Sequence, residues 1–296
     1  MTAAFDGYAL GATLYMPVLH PKVEAILRGQ VPAPAGSIVL CLEDALGQAD
    51  VARGLAAVAR HCTGPAFAST AKVFVRPRSR EMAEDLAAQP GIDRFDGFVA
   101  PKVSPDTIQP WMEIARAAGL QIMPTLESAD YFDPDAVRAL RDVLTAYDRN
   151  RIAAIRIGGN DLLSTLALRR QRGLTAWEGP LAWTLSMMVS ILVPAGYGLA
   201  APVFDVIDDL ETLGREVERD VAAGFVSKTA IHPLQVPVIE RAFRVAPEEL
   251  ERAHAVLDAQ AGAVFELGGV MCEPSTHRAW ARRIVARNTF FGCGSA

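Results

Sequence analysis

Two carboxylates stand out by where they fall. Glu127 closes the apolar run Ile122-Met123-Pro124-Thr125-Leu126, and Asp161 follows Ile152-Ala153-Ala154-Ile155-Arg156-Ile157 by way of Gly158-Gly159-Asn160. Between them, Pro134 to Tyr147 has helical spacing, so the segment reads strand, helix, strand, with an acid beyond each strand's carboxyl end. In a parallel sheet those ends lie side by side on one face, where two carboxylates repel each other unless a cation sits between them. Mg²⁺ suits that position, because it accepts one or two protein carboxylates and keeps waters that a substrate can displace. Mn²⁺ takes the same kind of oxygen donors. Taken singly, either acid could equally be a turn or helix-cap residue.

Other apolar runs end in the same way. Ser37 to Leu42 leads into Glu43-Asp44, Lys72 to Val75 into Arg76, and Phe95 to Ala100 into Pro101-Lys102. Gly198 to Pro202 leads through Val203-Phe204 to Asp205, and a last run ends at Lys228. Isolated buried charges are costly, so a ring of them on one rim points to ions or an anionic ligand at its centre. Lys102 and Asp205 are the members most readily explained as plain salt bridges. A metal on Glu127 and Asp161 with Arg76 beside it suits a 2-oxo or 2-hydroxy carboxylate. The metal would hold one carboxylate oxygen and the adjacent carbonyl oxygen, and Arg76 would grip the carboxylate through two N–H bonds. A Lewis acid at that place stabilises the negative charge that develops when an aldol-type C–C bond is made or broken. A Schiff-base lysine, Lys102 or Lys228, is the alternative, but it leaves the paired acids without a function.

The elements that must hold these residues follow a regular rhythm. Strands are expected at Tyr8 to Met16, in the five runs named above, and at Gly198 to Pro202 and Gly224 to Lys228. Helical spacing separates them, including Leu162 to Arg170 and Pro180 to Val193. Eight strands alternating with helices is the pattern of a (β/α)₈ TIM barrel, an α/β fold with its active face at the carboxyl ends of the strands. The barrel is expected over residues 1–235 and a C-terminal helical extension over 236–296. The extension holds a hairpin or extended arm at Val264 to Met271 and a helix from Thr276 to Arg287. An open doubly wound sheet would want a glycine-rich phosphate loop after the first strand, and Tyr15-Met16-Pro17-Val18 is not one.

Composition excludes several classes. The 296 residues carry a net charge of −5 with no basic stripe, which argues against a nucleic-acid partner. No apolar run reaches the roughly 20 residues of a membrane span, and Met1 to Gly7 lacks the pattern of a signal peptide. Cys41, Cys62, Cys272 and Cys293 have no metal-finger or redox spacing, so they read as incidental thiols of a cytoplasmic protein.

In order, these strand ends resemble the HpcH/HpaI aldolase and citrate lyase beta-subunit superfamily, on its citrate lyase-like side, from Leu14 to about Val285. Leu42-Glu43-Asp44-Ala45 is similar to that family's Leu-Glu-Asp-Ala turn, Val75-Arg76 to its carboxylate-binding arginine strand, and Pro101-Lys102 to its proline-lysine pair. Glu127 and Asp161 sit where the family has its two Mg²⁺ ligands, and Gly224-Phe225, Lys228 and Ile231-His232-Pro233-Leu234-Gln235 resemble its late motif. The resemblance implies a (β/α)₈ barrel whose extension crosses to a neighbouring subunit, in trimers or multiples of trimers. There are departures. Ala12-Thr13 and Val18 stand where the family has arginine-serine and glycine, which weakens the case for a coenzyme A thioester. The interval between the two acids is longer than the family's. Met271-Cys272-Glu273 stands where acyl-CoA enzymes have methionine-isoleucine-aspartate. The basic stretch Arg169 to Arg172 reads as a solvated loop, with an anion site as the alternative.

The expectation is therefore a Mg²⁺-dependent carbon–carbon lyase acting on a small carboxylic acid or its acyl-CoA thioester. Glu127 and Asp161 hold the metal, Arg76 and Lys102 bind substrate, and Glu43 and Asp44 orient metal-bound water. Glu273, supplied by a neighbour in a homo-oligomer, is the candidate general acid/base. The alternatives are the same site run as a synthase or thioester hydrolase, and a barrel that only binds within a multi-protein system.

Overall fold

Residues 3–294 are described by a computed structural model; Met1 and Thr2, where the expected leaderless start begins, and Ser295 and Ala296 lie outside the described residues. The β-branched and aliphatic runs form eight parallel strands: β1 Ala12–Pro17, β2 Ser37–Cys41, β3 Lys72–Arg76, β4 Gly97–Ala100, β5 Gln121–Leu126, β6 Ile155–Ile157, β7 Leu199–Ala201 and β8 Ser227–Ala230. Each pairs with the next, and β8 pairs with β1, so the sheet closes into a barrel. This is the expected (β/α)₈ architecture, and closure excludes the open sheet.

The helices between the strands are α1 Val23–Leu27, α2 Val51–Thr63, α3 Arg80–Ala87, α4 Ile108–Ala117, α5 Pro134–Leu144, α6 Gly159–Thr165, α7 Leu181–Leu192 and α8 Leu210–Ala223. Local chemistry sets several of their ends. Ser79 caps α3 by accepting from the Met82 amide, and Asp209 caps α8 by accepting from Thr212. The outward faces of the strands pack on these helices in two large apolar clusters. The inward faces form layers. Ser37 Oγ donates to the Leu10 carbonyl (2.7 Å) and to Thr13 (3.0 Å) at the floor. Val39, Phe74, Val99, Met123, Ala154 and Ala200 fill the middle.

Three boundaries differ from expectation. Tyr8 to Leu10 does not begin the first strand: it ends a 3₁₀ segment, Ala3–Leu10, and Gly11 at φ +56° turns the chain into β1. Leu10 thus plugs the barrel floor, which explains an apolar run that is not a strand. Gly224 is not in β8 but is the left-handed cap of α8, at φ +101°, so the strand starts three residues later. Asp161 lies in the first turn of α6 rather than before a helix starting at Leu162.

Beyond the barrel come α9 Val236–Ala242, α10 Pro247–Leu257, an antiparallel hairpin of β9 Phe265–Leu267 and β10 Val270–Cys272, and α11 Pro274–Phe291. α10, α11 and the hairpin share a small core of Val245, Ala253, Val256, Cys272, Ala281 and Ile284. α11 also docks on its own barrel. Arg283 donates to Tyr8 Oη (2.8 Å) and to the Gly224 carbonyl, and Phe291 stacks on Phe243 at 4.9 Å. No helix among the described residues is long and apolar enough to cross a membrane.

Candidate active site

Strand alternation brings Tyr15, Cys41, Arg76, Thr125 and Arg156 to the carboxyl end of the barrel interior. There they line a cleft of about 320 Å³ together with Asp44, Glu127, Asp161 and Thr229. Glu127 follows β5 directly and is 4% exposed. Its Oε1 accepts from the Lys102 backbone amide (2.8 Å) and from Arg76 Nη2 (3.1 Å). Lys102 reaches that position in a left-handed conformation, φ +50°, which is uncommon for a residue with a side chain and is tolerated only where surroundings compensate. On the other side of Glu127 lies Gly158. A Cβ there would collide with the glutamate side chain, so glycine lets the β6–α6 turn carry Asp161 close to it.

Arg76 is the hub of the site. Its Nη2 lies 2.5 Å from Glu43 Oε2 as well as 3.1 Å from Glu127, and Lys102 Nζ lies 3.3 Å from Glu43 Oε1. Burial works against the arginine's charge, but Tyr15, Glu127 and Glu43 outweigh it and hold its pKa above the usual value. Burial raises the Glu43 carboxyl, against the pull of Arg76. Glu127 is pushed up to about 7, chiefly by burial, with Asp161 adding repulsion and Arg76 opposing it. Burial also raises the Cys41 thiol, which leaves it neutral and unsuited to act as a base. Asp44 is exposed at the mouth.

The donor set fits a hard divalent cation. Arg76 Nε and Thr125 Oγ1 are buried here without a hydrogen-bond partner in the chain, so the cleft presents polar groups to a ligand. Among the described residues, no three His, Cys, Asp or Glu side chains gather around one point. Such a grouping is what Zn²⁺ would want. Glu127 and Asp161 alone would leave the remaining positions of an octahedral ion to water and substrate, as Mg²⁺ prefers.

The other rim charges fall elsewhere. Lys228 is the second residue of β8, opposite Ala12 at the start of β1, and its side chain points outward. It is fully buried against α8, 2.9 Å from Glu216 and 2.6 Å from Asp220, which hold it charged against the effect of burial. It is therefore neither a rim residue nor available as a Schiff-base lysine. Asp205 pairs with Arg170 at 3.3 Å. Arg170 is not solvated as expected: its side chain is buried, 2.5 Å from Glu216 and over the Phe204 ring at 4.8 Å. Arg172 remains exposed, paired with Asp208 at 2.6 Å. Glu273 does not line the cleft of its own chain; its carboxylate accepts from Ser275 Oγ (2.9 Å) and Thr276 Oγ1 (3.1 Å). Arg156 lines the cleft but was not among the expected site residues.

A model of the C–C bond lyases of the TIM-barrel fold matches residues 4–293. The chain belongs to that family. It is thus an enzyme of the carbon–carbon lyase class. No curated protein matches it. Among solved structures, this C–C bond lyase is similar to CitE from Mycobacterium tuberculosis in complex with magnesium, acetoacetate and coenzyme A. The TM-score is 0.70 at 23% identity, over 95% of this chain and 99% of that one. The citrate lyase beta subunit of the same organism, complexed with oxaloacetate and magnesium, gives a TM-score of 0.59 at 20% identity, over 81% and 99%. RipC from Yersinia pestis gives 0.60 at 21%, over 80% and 95%. At these identities the likeness is one of fold.

Proposed function

We propose that this lyase is Mg²⁺-dependent and makes or breaks an aldol-type C–C bond in a 2-oxo or 2-hydroxy carboxylic acid, free or as an acyl thioester. The supporting observation is the meeting of Glu127, Asp161 and Arg76 in one cleft at the carboxyl ends of the strands. Glu127 and Asp161 would hold the metal. When bound, it would supply Lewis-acid polarisation of the substrate's carbonyl oxygen.

The rest is done by the chain. Arg76 binds the substrate carboxylate through its fork. Glu43, in contact with both Arg76 and Lys102, fixes their positions and keeps both charged. Lys102 holds Glu127 through its backbone N–H and presents its half-exposed ammonium at the mouth. Asp44, beside it, orients water there. Glu273 of a neighbouring subunit would complete the site as general acid/base. The exposure of Val264, Val270 and Met271, at 60%, 45% and 57%, is consistent with an arm that packs on another molecule in a trimer or multiple of trimers.

The test is titration of Mg²⁺ into Glu127→Gln and Asp161→Asn, followed by turnover of a panel of 2-oxo acids and acyl thioesters. Each variant is expected to lose Mg²⁺ binding and turnover while melting as a folded protein. Unchanged Mg²⁺ affinity in both variants would overturn the reading. The same panel separates cleavage from thioester hydrolysis by its products.

A further inference from the structure

Arg156 is a buried cation without a counter-charge. It lies in β6, is 2% exposed, and turns into the barrel toward the cleft floor. Its Nη2 donates to Thr229 Oγ1 at 2.5 Å and its Nη1 approaches Met123 Sδ at 3.5 Å, so its partners are neutral. Its guanidinium carbon sits 5.2 Å from the Tyr15 ring centroid. The other buried cations are treated differently. Arg76, Arg170, Lys228 and Arg287 each have a carboxylate within 3.1 Å, whereas no ion pair to Arg156 exists among the described residues.

That contrast calls for a physical reason. An unpaired buried charge is destabilising, and a guanidinium cannot escape the cost by shedding its proton. A cation–π contact offsets part of the cost but does not neutralise the charge. An anionic ligand in the cleft would supply the missing counter-charge. The position fits that purpose. Arg76 lies 5.9 Å from the same Tyr15 ring, so the two guanidinium groups flank one side chain and a single small molecule can touch both.

We propose that Arg156 receives a second anionic group of the substrate, a carboxylate or a phosphate, so that the enzyme selects diacids over monoacids. This rests on the proposed function, in which the metal and Arg76 take the first carboxylate. An arginine fork matches either oxyanion through two N–H bonds, so both sources are covered by one chemistry.

The experiment is calorimetric titration of the full-length protein, with and without Mg²⁺, using pyruvate, oxaloacetate and 3-phosphonopyruvate. In the wild type, one of the two diacids is expected to bind at least about tenfold tighter than pyruvate, and the tighter one identifies the second group as carboxylate or phosphate-like. In Arg156→Gln that ratio is expected to fall to within about twofold of unity. In Arg156→Lys, which keeps the charge and loses the fork, it should lie between. A purely structural role would weaken all three ligands alike and leave the ratio intact. Absence of diacid preference in the wild type, or a preference that survives in Arg156→Gln, would overturn the inference. If the preference needs Arg156 but not Mg²⁺, this inference stands and the metal reading falls. If Mg²⁺ binding needs Glu127 and Asp161 but no preference exists, the converse holds.

Discussion

Lowering the pH should release the proposed Mg²⁺ before it unfolds the protein. The Glu127 carboxyl is raised from 4.5 to about 7, mainly because it is buried, with Asp161 beside it. A protonated carboxyl is a poor Mg²⁺ donor, so binding must displace the proton. Above about 7 the apparent affinity should be flat; below it, each pH unit should weaken binding about tenfold, the free-energy equivalent of one unit of pKa. Calorimetry in two buffers with different heats of ionisation counts the protons directly. Close to one proton should be released per Mg²⁺ near pH 6, and almost none near pH 8, by roughly one unit's displacement either side of the midpoint. Glu43 is also raised by burial, so it needs a control: the slope should persist in Glu43→Gln if Glu127 is the responsible group.

The same shift fixes the sign of the stability change. Between 4.5 and about 7 the folded protein holds a proton on Glu127 that the unfolded chain has lost. Stability contributed by this group is therefore full below 4.5 and is lost as pH rises through about 7. Mg²⁺ should restore it, raising the melting temperature more at pH 8 than at pH 6. Proton release that stays at zero across this range, together with a pH-independent Mg²⁺ effect on melting, would refute the reasoning.

Other outcomes follow from the remaining contacts. Arg76→Lys keeps a charge between Glu43 and Glu127 but loses the planar fork; kcat/KM should fall by roughly 100-fold or more with melting little changed. An early melt in that variant would instead make Arg76 a structural ion-pair partner. Lys228→Met leaves Asp220 buried without its cation, and Glu216 with Arg170 alone, and should cost about 3–5 kcal/mol in urea unfolding, while the folded variant still turns over substrate. Mixing inactive Glu273→Ala with inactive Asp161→Asn should restore part of the activity after subunit exchange; a monomeric enzyme, or hybrids that assemble and stay inactive, would rule out the trans arrangement.

Most of the barrel was legible in the sequence because its strands are buried on both faces and read as unbroken apolar runs, and because glycine, proline and cap residues punctuate the helices. Two of the three boundary differences share one cause. Tyr8 to Leu10 and Gly224 to Val226 are apolar for reasons other than strand pairing, one closing the barrel floor and the other following a left-handed helix cap. The second error mattered for the site. Lys102 and Lys228 look alike in sequence, each a lysine at the end of an apolar run, yet one stands at the rim and the other behind the wall. A shift in where β8 begins decides this, since successive residues of a strand face opposite sides. Arg156 is inconspicuous in the sequence because it sits inside an apolar run rather than at its end. Its signal was the alternation Ala154, Arg156, Gly158, which puts it on the same face as the residues around Glu127 once β5 and β6 pair Thr125 with Arg156.

Charge in the cleft also orders the binding events. Glu43, Asp44, Glu127 and Asp161 face Arg76, Lys102 and Arg156, so the metal-free cleft carries one negative charge more than it has positive when all are ionised. A divalent cation reverses that balance. An anionic substrate should therefore meet an unfavourable field before the metal binds and a favourable one afterwards, in a partly desolvated space where such fields are weakly screened. The expected consequence is ordered addition, metal first. Oxaloacetate should bind at least about tenfold more weakly without Mg²⁺ than with it, and by linkage oxaloacetate should tighten Mg²⁺ binding by the same factor. Titrating each ligand in the presence and absence of the other measures both sides of that cycle. Equal affinities on both sides would mean that Arg76 and Arg156 alone set the field, and that the paired carboxylates serve the fold rather than the metal.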